Sequence, residues 1–254
     1  LMLLTIGCRK DDSVNDKTKD NKIFFNPTIT YGSVTDIDSN IYKTVTISGH
    51  EWMAENLKVT HYNDSSEIPN VTYDSEWFSQ FKGAYCWMNN DIDKFKGIYG
   101  ALYNFYAVVD NRNLCPVGWH VPSYSEWTEL IDAVGGEYVA GAKLKEEGLT
   151  HWMYKNNSDN VSGFSALPGG IRGVNGYFSS IGQEGYWWTS TAIDQTYAIN
   201  CNLSYNNDTL DVFGGVKMFG FSVRCVKDEI SVKTLLVSDI KQTTATSGGN
   251  IISK

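Results

Sequence analysis

The side chains able to do chemistry are few, and their spacing decides what they can do. His50-Glu51 opens the pattern by which zinc enzymes place two imidazoles on one helical face, but position 54, where the second imidazole must stand, is Ala54. The Val/Thr/Ile run before it favours a strand, so a turn pair is the better reading. Asp36-Ile-Asp-Ser-Asn40 has the opening of an EF-hand loop, yet Ile41 stands where that loop needs Gly and Ile47 where it needs Glu. A hairpin turn is the better reading there. Asn89-Asn-Asp-Ile-Asp93 and Asn206-Asn-Asp208 are oxygen-rich and could coordinate Ca²⁺ without any motif to require it; solvated turns are the commoner use of such strings. There is no Gly-x-Ser-x-Gly elbow. His120, held between Trp119 and Val121, reads as a hydrogen-bonded structural residue. Glu126 reads as a helix cap, and Glu146, Glu147 and His151 as a solvated face. No catalytic residue, no metal ligand and no cofactor is nominated, and the chain leans away from being an enzyme.

Aromatic residues make up 13% of the chain, with 8 Trp and 15 Tyr. Aromatic faces stack on the apolar faces of pyranose rings, so Trp77, Phe78, Trp187 and Trp188 are candidate ligand-binding residues. Adjacent residues on a strand point to opposite faces, so one of Trp187 and Trp188 is expected in the core and the other outside. Trp77-Phe78, in an irregular region, is the better candidate for an exposed pair. Core packing remains the commoner fate of any single Trp.

Around these residues the chain alternates between short patterns. Ser33 to Ile47 alternates about the turn residues Asp38-Ser-Asn40 and predicts a hairpin, with His50–Asn56 following as a third strand or turn. Tyr99, Leu102, Tyr103 and Tyr106 fall at helical spacing. Ser123 with Glu126 forms a capping box for a helix over 124–134 that Gly135-Gly136 ends. Phe219 to Val226 alternates as a closing strand. Two main helices among many short, mostly antiparallel strands imply the α+β class.

The two ends differ from the middle. Residues 1–8 run apolar to Gly7 and Cys8 and then turn abruptly to charge, the pattern of a bacterial lipoprotein signal remnant in which Cys8 takes the lipid. Lys10-Asp11-Asp12 resembles the short signal that sends Bacteroidetes lipoproteins to the outer face of the outer membrane. Residues 9–30 read as a flexible tether, and 229–254 as the start of a truncated β-sandwich repeat. A net charge of -8 without a Lys/Arg cluster argues against nucleic-acid partners and leaves membrane contact to the lipid alone. Setting Cys8 aside leaves Cys86, Cys115, Cys201 and Cys225, enough for two disulfides in three connectivities.

Over residues 31–228 a series of strings resembles one family. They are Val34-Thr-Asp-Ile-Asp-Ser-Asn-Ile-Tyr42, Trp52-Met-Ala-Glu-Asn-Leu57, Tyr99-Gly-Ala-Leu-Tyr-Asn104, Cys115-Pro-Val-Gly-Trp-His-Val-Pro122, Gly163-Phe-Ser-Ala-Leu-Pro-Gly-Gly170, Tyr186-Trp-Trp-Thr-Ser-Thr191 and Gly220-Phe-Ser-Val-Arg-Cys225. In this order they resemble the major paralogous domain of Fibrobacter succinogenes, which implies a compact extracellular module often carried on lipoproteins. Val121-Pro-Ser-Tyr-Ser-Glu-Trp127 and the closing Gly220–Cys225 string are similar, more distantly, to formylglycine-generating enzymes. That likeness implies a C-type-lectin-like fold. The enzyme's Arg-Gly-Gly-Ser-Trp string, its catalytic cysteine context and the lectins' calcium strings are missing, so no site residue carries over. A lectin-like fold pairs its chain ends, which implies Cys115–Cys225 and leaves Cys86–Cys201 as a second bond.

The function expected is that of a cell-surface lipoprotein acting as a non-catalytic binding or adhesion module, for a glycan or another envelope polymer. The alternatives are an enzyme related to the formylglycine-generating fold and a structural spacer.

Overall fold

The computed structural model describes residues 22–153, 158–234 and 249–253. The predicted hairpin forms from β1 (Gly32–Thr35) and β2 (Ile41–Ile47), with Thr35 opposite Ile41. The Asp36 carboxylate closes the turn. It accepts from the Asn40 N–H at 2.9 Å and from the Tyr42 hydroxyl at 2.6 Å, so the Asp36 oxygens of the calcium-like string serve the hairpin. Strand β3 (His50–Met53) extends the sheet.

Seven short elements follow: α1 (Asp74–Phe78), β4 (Tyr85–Cys86), α2 (Ile92–Tyr99), β5 (Leu102–Tyr103), α3 (Phe105–Val108), β6 (Trp119–His120) and α4 (Tyr124–Ala133). The remainder is α5 (Glu137–Leu144), β7 (Ile171–Arg172), β8 (Phe178–Ser179), β9 (Glu184–Ala192), β10 (Tyr197–Ser204), β11 (Leu210–Val216), β12 (Val226–Lys227), β13 (Ile230–Thr234) and β14 (Gly249–Ser253). The named strands pair antiparallel. One sheet runs β1-β2-β3-β12-β6, a second runs β11-β10-β9, and three two-stranded pairs complete the set. This is a mixed α and β molecule, mostly antiparallel, with five short α-helices among the described residues where two main ones were expected.

Three differences from the sequence reading have local causes. The helical spacing of Tyr99 to Tyr106 does not make one helix. Gly100 sits at φ +71°, and a Cβ there would stand 2.6 Å from the Leu57 carbonyl, so α2 stops at Tyr99 and the chain turns to pair Ala101 N–H with that carbonyl. The alternating Phe219–Val226 run is not one strand. Gly220, Phe221 and Ser222 bridge singly to Arg172, Tyr103 and Trp187, and only Val226-Lys227 joins a sheet. That segment threads between sheets and is buried from Gly220 to Val226. Before Tyr31, where a tether was expected, residues 22–30 already pack: Phe25 and Ile29 lie against the core and the Phe24 N–H donates to Glu146 at 2.6 Å.

The capping box is as expected. Ser123 Oγ accepts the Glu126 N–H, and Glu126 accepts the Ser123 N–H at 2.7 Å. It aims α4 so that Trp127, Leu130 and Ile131 enter the core. Two large apolar clusters lie on the two sides of β9, and Trp187 belongs to one and Trp188 to the other.

Candidate functional site

The residues that the sequence singles out for ligand binding divide sharply. Trp77, Trp187 and Trp188 are buried, because β9 is covered on both faces and neither of its tryptophans can form an exposed platform. Trp187 Nε1 donates to Asn56 and Trp188 Nε1 to the Tyr103 carbonyl. Phe78 alone stays outside, on the last turn of α1, with Tyr73 and Phe81 exposed on either side of that helix.

The four cysteines also divide. Cys115 and Cys225 form a disulfide, whereas Cys86 and Cys201 are free and buried and do not form the second bond. They lie in different layers: Cys86 on β4 faces the cluster around Trp77, and Cys201 on β10 the cluster around Trp127. Burial pushes the Cys86 thiol up to about 12 and the Cys201 thiol well above its ordinary value, so neither supplies a thiolate near neutrality. Alkylation of the native protein should spare both. In denaturant without reductant it should modify Cys86 and Cys201 and leave Cys115 and Cys225 untouched, as peptide mass mapping would read; protection of Cys86 and Cys201 in denaturant would restore the second bond. Cys8, the expected lipid attachment, lies outside the described residues.

The strings that carry the family resemblance converge on buried nodes. Asn56 Oδ1 accepts from Trp187 Nε1 and from Arg224 Nε, both at 2.9 Å, while Asn56 Nδ2 donates to the Tyr99 carbonyl and to Ser222 Oγ. Arg224 also donates to the Phe164 and Ser165 carbonyls and lies over the Phe164 ring at 4.2 Å. A second buried guanidinium, Arg172, donates to the Val71, Thr72 and Gly176 carbonyls between the Trp77 and Phe178 rings. These residues organise the fold and are sealed from solvent.

One acidic reading is corrected. Glu146 and His151 do not lie on a solvated face. The side chains of both are buried, and His151 Nδ1 meets Glu146 Oε2 at 2.6 Å beneath the 22–30 segment; Glu147 is exposed. The Asn206–Asp208 loop holds a cation from its own chain: the buried Lys145 ammonium donates to the Asn207 carbonyl at 2.5 Å, 3.8 Å from Asp208. Burial, against the pull of Asp208, lowers that amine to about 8. In the other loop, Asp91 caps α2 by accepting the Lys94 N–H at 3.0 Å. Among the described residues, no three His, Cys, Asp or Glu side chains gather as a metal site would need.

The open, chemically mixed surface lies elsewhere, in a groove of about 570 Å³ between α4, the start of α5 and β11. Tyr124, Thr128 and Asp132 line it from one face of α4 at i, i+4 and i+8; Glu137 and Tyr138 open α5, and Asp211 stands on β11. Tyr138 is 75% exposed and Tyr124 44%. A hydrogen bond and the charge of Glu137 push the Tyr138 hydroxyl above its ordinary value. Two aromatic faces with three carboxylates make a wall that can stack on a ring and accept hydrogen bonds from its hydroxyls. Sequence reasoning missed this groove because Asp211 joins it from a distant strand; the Tyr124-x₃-Thr128-x₃-Asp132 stripe beside Gly135-Gly136 was the available signal.

A smaller polar pocket of about 350 Å³ is lined by His50, His120, Ser123, Ser125, Glu126, Glu129 and Glu229. His120 Nε2 meets Glu126 at 2.8 Å and its Nδ1 meets Asp228 at 2.6 Å, which bears out the structural reading of this residue. His50 repeats the arrangement, with Nε2 3.1 Å from Glu129 and Nδ1 3.3 Å from Glu229.

The family model described as the Fibrobacter succinogenes major domain matches residues 45–227 of the chain. No curated protein and no solved structure matches it.

Proposed function

The chain belongs to the Fibrobacter succinogenes major domain family, and from that premise we propose that it is a non-catalytic binding module for glycans of the cell envelope. The observation that carries this reading is the groove of Tyr124, Tyr138, Asp132, Glu137 and Asp211: concave, aromatic-walled, acceptor-rich and open. The reactive groups point the same way, since both free thiols and the Glu146–His151 pair are buried where no substrate reaches them. We further propose a C-type-lectin-like fold, supported by the curled, mostly antiparallel sheet and by the disulfide that ties Cys115 to Cys225 near the end of the family match. Attachment through a lipid on Cys8 at the outer membrane surface belongs to the same proposal and rests on the leader sequence.

A glycan array probed with the protein, with and without Ca²⁺, tests the reading. Binding should appear and should not change with Ca²⁺, because Lys145 holds the Asn206–Asp208 loop and Asp91 caps a helix. Removing one stacking ring by Tyr138→Ala should weaken binding about tenfold, the equivalent of roughly 1.4 kcal/mol. A blank array in both conditions would overturn the proposal and leave the spacer reading.

A further inference from the structure

We propose that His120 is the pH-sensitive half of a clasp by which it and His50 fix the segment leaving the domain, Asp228-Glu229, onto α4, closed when the His120 imidazole is protonated and released when it is neutral. Each imidazole spans two carboxylates, one from α4 and one from this segment: Glu126 and Asp228 for His120, Glu129 and Glu229 for His50. Only an imidazolium donates from both ring nitrogens. A neutral ring turns a lone pair towards one carboxylate of its pair, so loss of the His120 proton turns an attraction into a repulsion there. Lys227, on β12, turns to Glu51 of β3 at 2.7 Å, and Ser123 donates to Glu126. Without that proton, the Glu126 and Asp228 carboxylates share one neutral ring.

The signs agree for the ring that reports. The hydrogen bond that His120 donates to Glu126, against burial and with help from Asp228, raises His120 above its ordinary 6.5. Its contribution is therefore complete below about 6.5 and is lost as pH rises through the folded value. Burial pushes Glu126 up, but His120 and the Ser123 donors outweigh it and hold the carboxyl down to about 2, from an ordinary 4.5. That contribution is complete above about 4.5 and fades as pH falls towards 2. The clasp is thus strongest between about pH 4.5 and 6.5. Strand β13 follows directly, so the clasp sets how firmly the downstream chain is held to the domain.

Hydrogen exchange reads this at one amide. The Asp228 N–H is bonded to the Gly118 carbonyl at 2.9 Å. After correction for the intrinsic exchange rate, its protection should fall at least tenfold between pH 5.5 and 8.5, while protection of the Cys201 amide on β10 holds. In a H50Q/H120Q variant Asp228 protection should be low and equal at both pH values, and E229Q should reduce the change. A flat response in the wild type, or the same pH dependence in the double variant, overturns the clasp.

Discussion

Replacing Arg224 by Met should lower stability by about 3 kcal/mol, read as a shift in a urea unfolding midpoint at unchanged slope. Two terms of opposite sign compete. The guanidinium is fully buried, and burial, against the pull of Glu55 and Tyr31, pushes it down to about 9, so removing it relieves a desolvation cost. Met fills much of the same space. Against this, Arg224 has no carboxylate in hydrogen-bond reach; its donors are spent on the Phe164 and Ser165 carbonyls and on Asn56 Oδ1. Met satisfies none of them. Asn56 keeps the Trp187 donor, but the two carbonyls are left buried and unpaired at about 1–3 kcal/mol each. The Arg224 contact with the Phe164 ring is lost as well. The orphaned acceptors win. A variant as stable as the wild type would mean that desolvation dominates and that Arg224 is dispensable to the fold.

That balance explains why the recognisable strings of this chain speak of its fold. Asn56, Trp187, Ser222 and Arg224 come from three separate strings and meet in one buried network. Phe164 and Ser165, from a fourth, supply its carbonyls. Their side chains are chosen for hydrogen-bonding geometry in a core, so they mark a fold. The groove residues Tyr138, Glu137 and Asp211 lie outside every one of those strings.

What was legible in the sequence was local. The capping box needs only Ser123 and Glu126, three residues apart, and the first hairpin only alternation around Asp36–Asn40. What escaped depended on distant partners. Glu146 and His151 look like surface residues until Phe24 and its neighbours fold over them. Period two told correctly that Trp187 and Trp188 face opposite ways, but not that both sides of β9 would be covered. Tyr99 to Tyr106 kept helical spacing across Gly100, where close approach of the Leu57 carbonyl overrides it. The groove is assembled from α4, α5 and β11, and no window of contiguous sequence contains it.

Removing the disulfide should cost more than any single side chain named above. Cys115 and Cys225 are separated by 110 residues, and the loop they close holds α4, α5 and the whole β9–β11 sheet. Cutting the cross-link frees that loop in the unfolded chain, which the chain-entropy account values at about 4–5 kcal/mol. A C115A/C225A variant tests this without oxidative side reactions. Its urea midpoint should fall by the corresponding amount, a third or more of the stability of a typical domain. The native anchors do not compensate, because they hold only in the folded state. Asn63 Nδ2 donates to the Cys115 carbonyl at 2.7 Å and Met53 N–H to the Cys225 carbonyl at 3.0 Å, so both ends stay placed by the sheet without the bond. The variant should therefore keep the native fold below its midpoint, with the groove around Tyr138 unaltered. A loss under about 1 kcal/mol would mean that the unfolded chain already keeps the two ends together. Loss of folding altogether would mean that those two hydrogen bonds and the β3–β12–β6 pairing are too weak to close the domain alone.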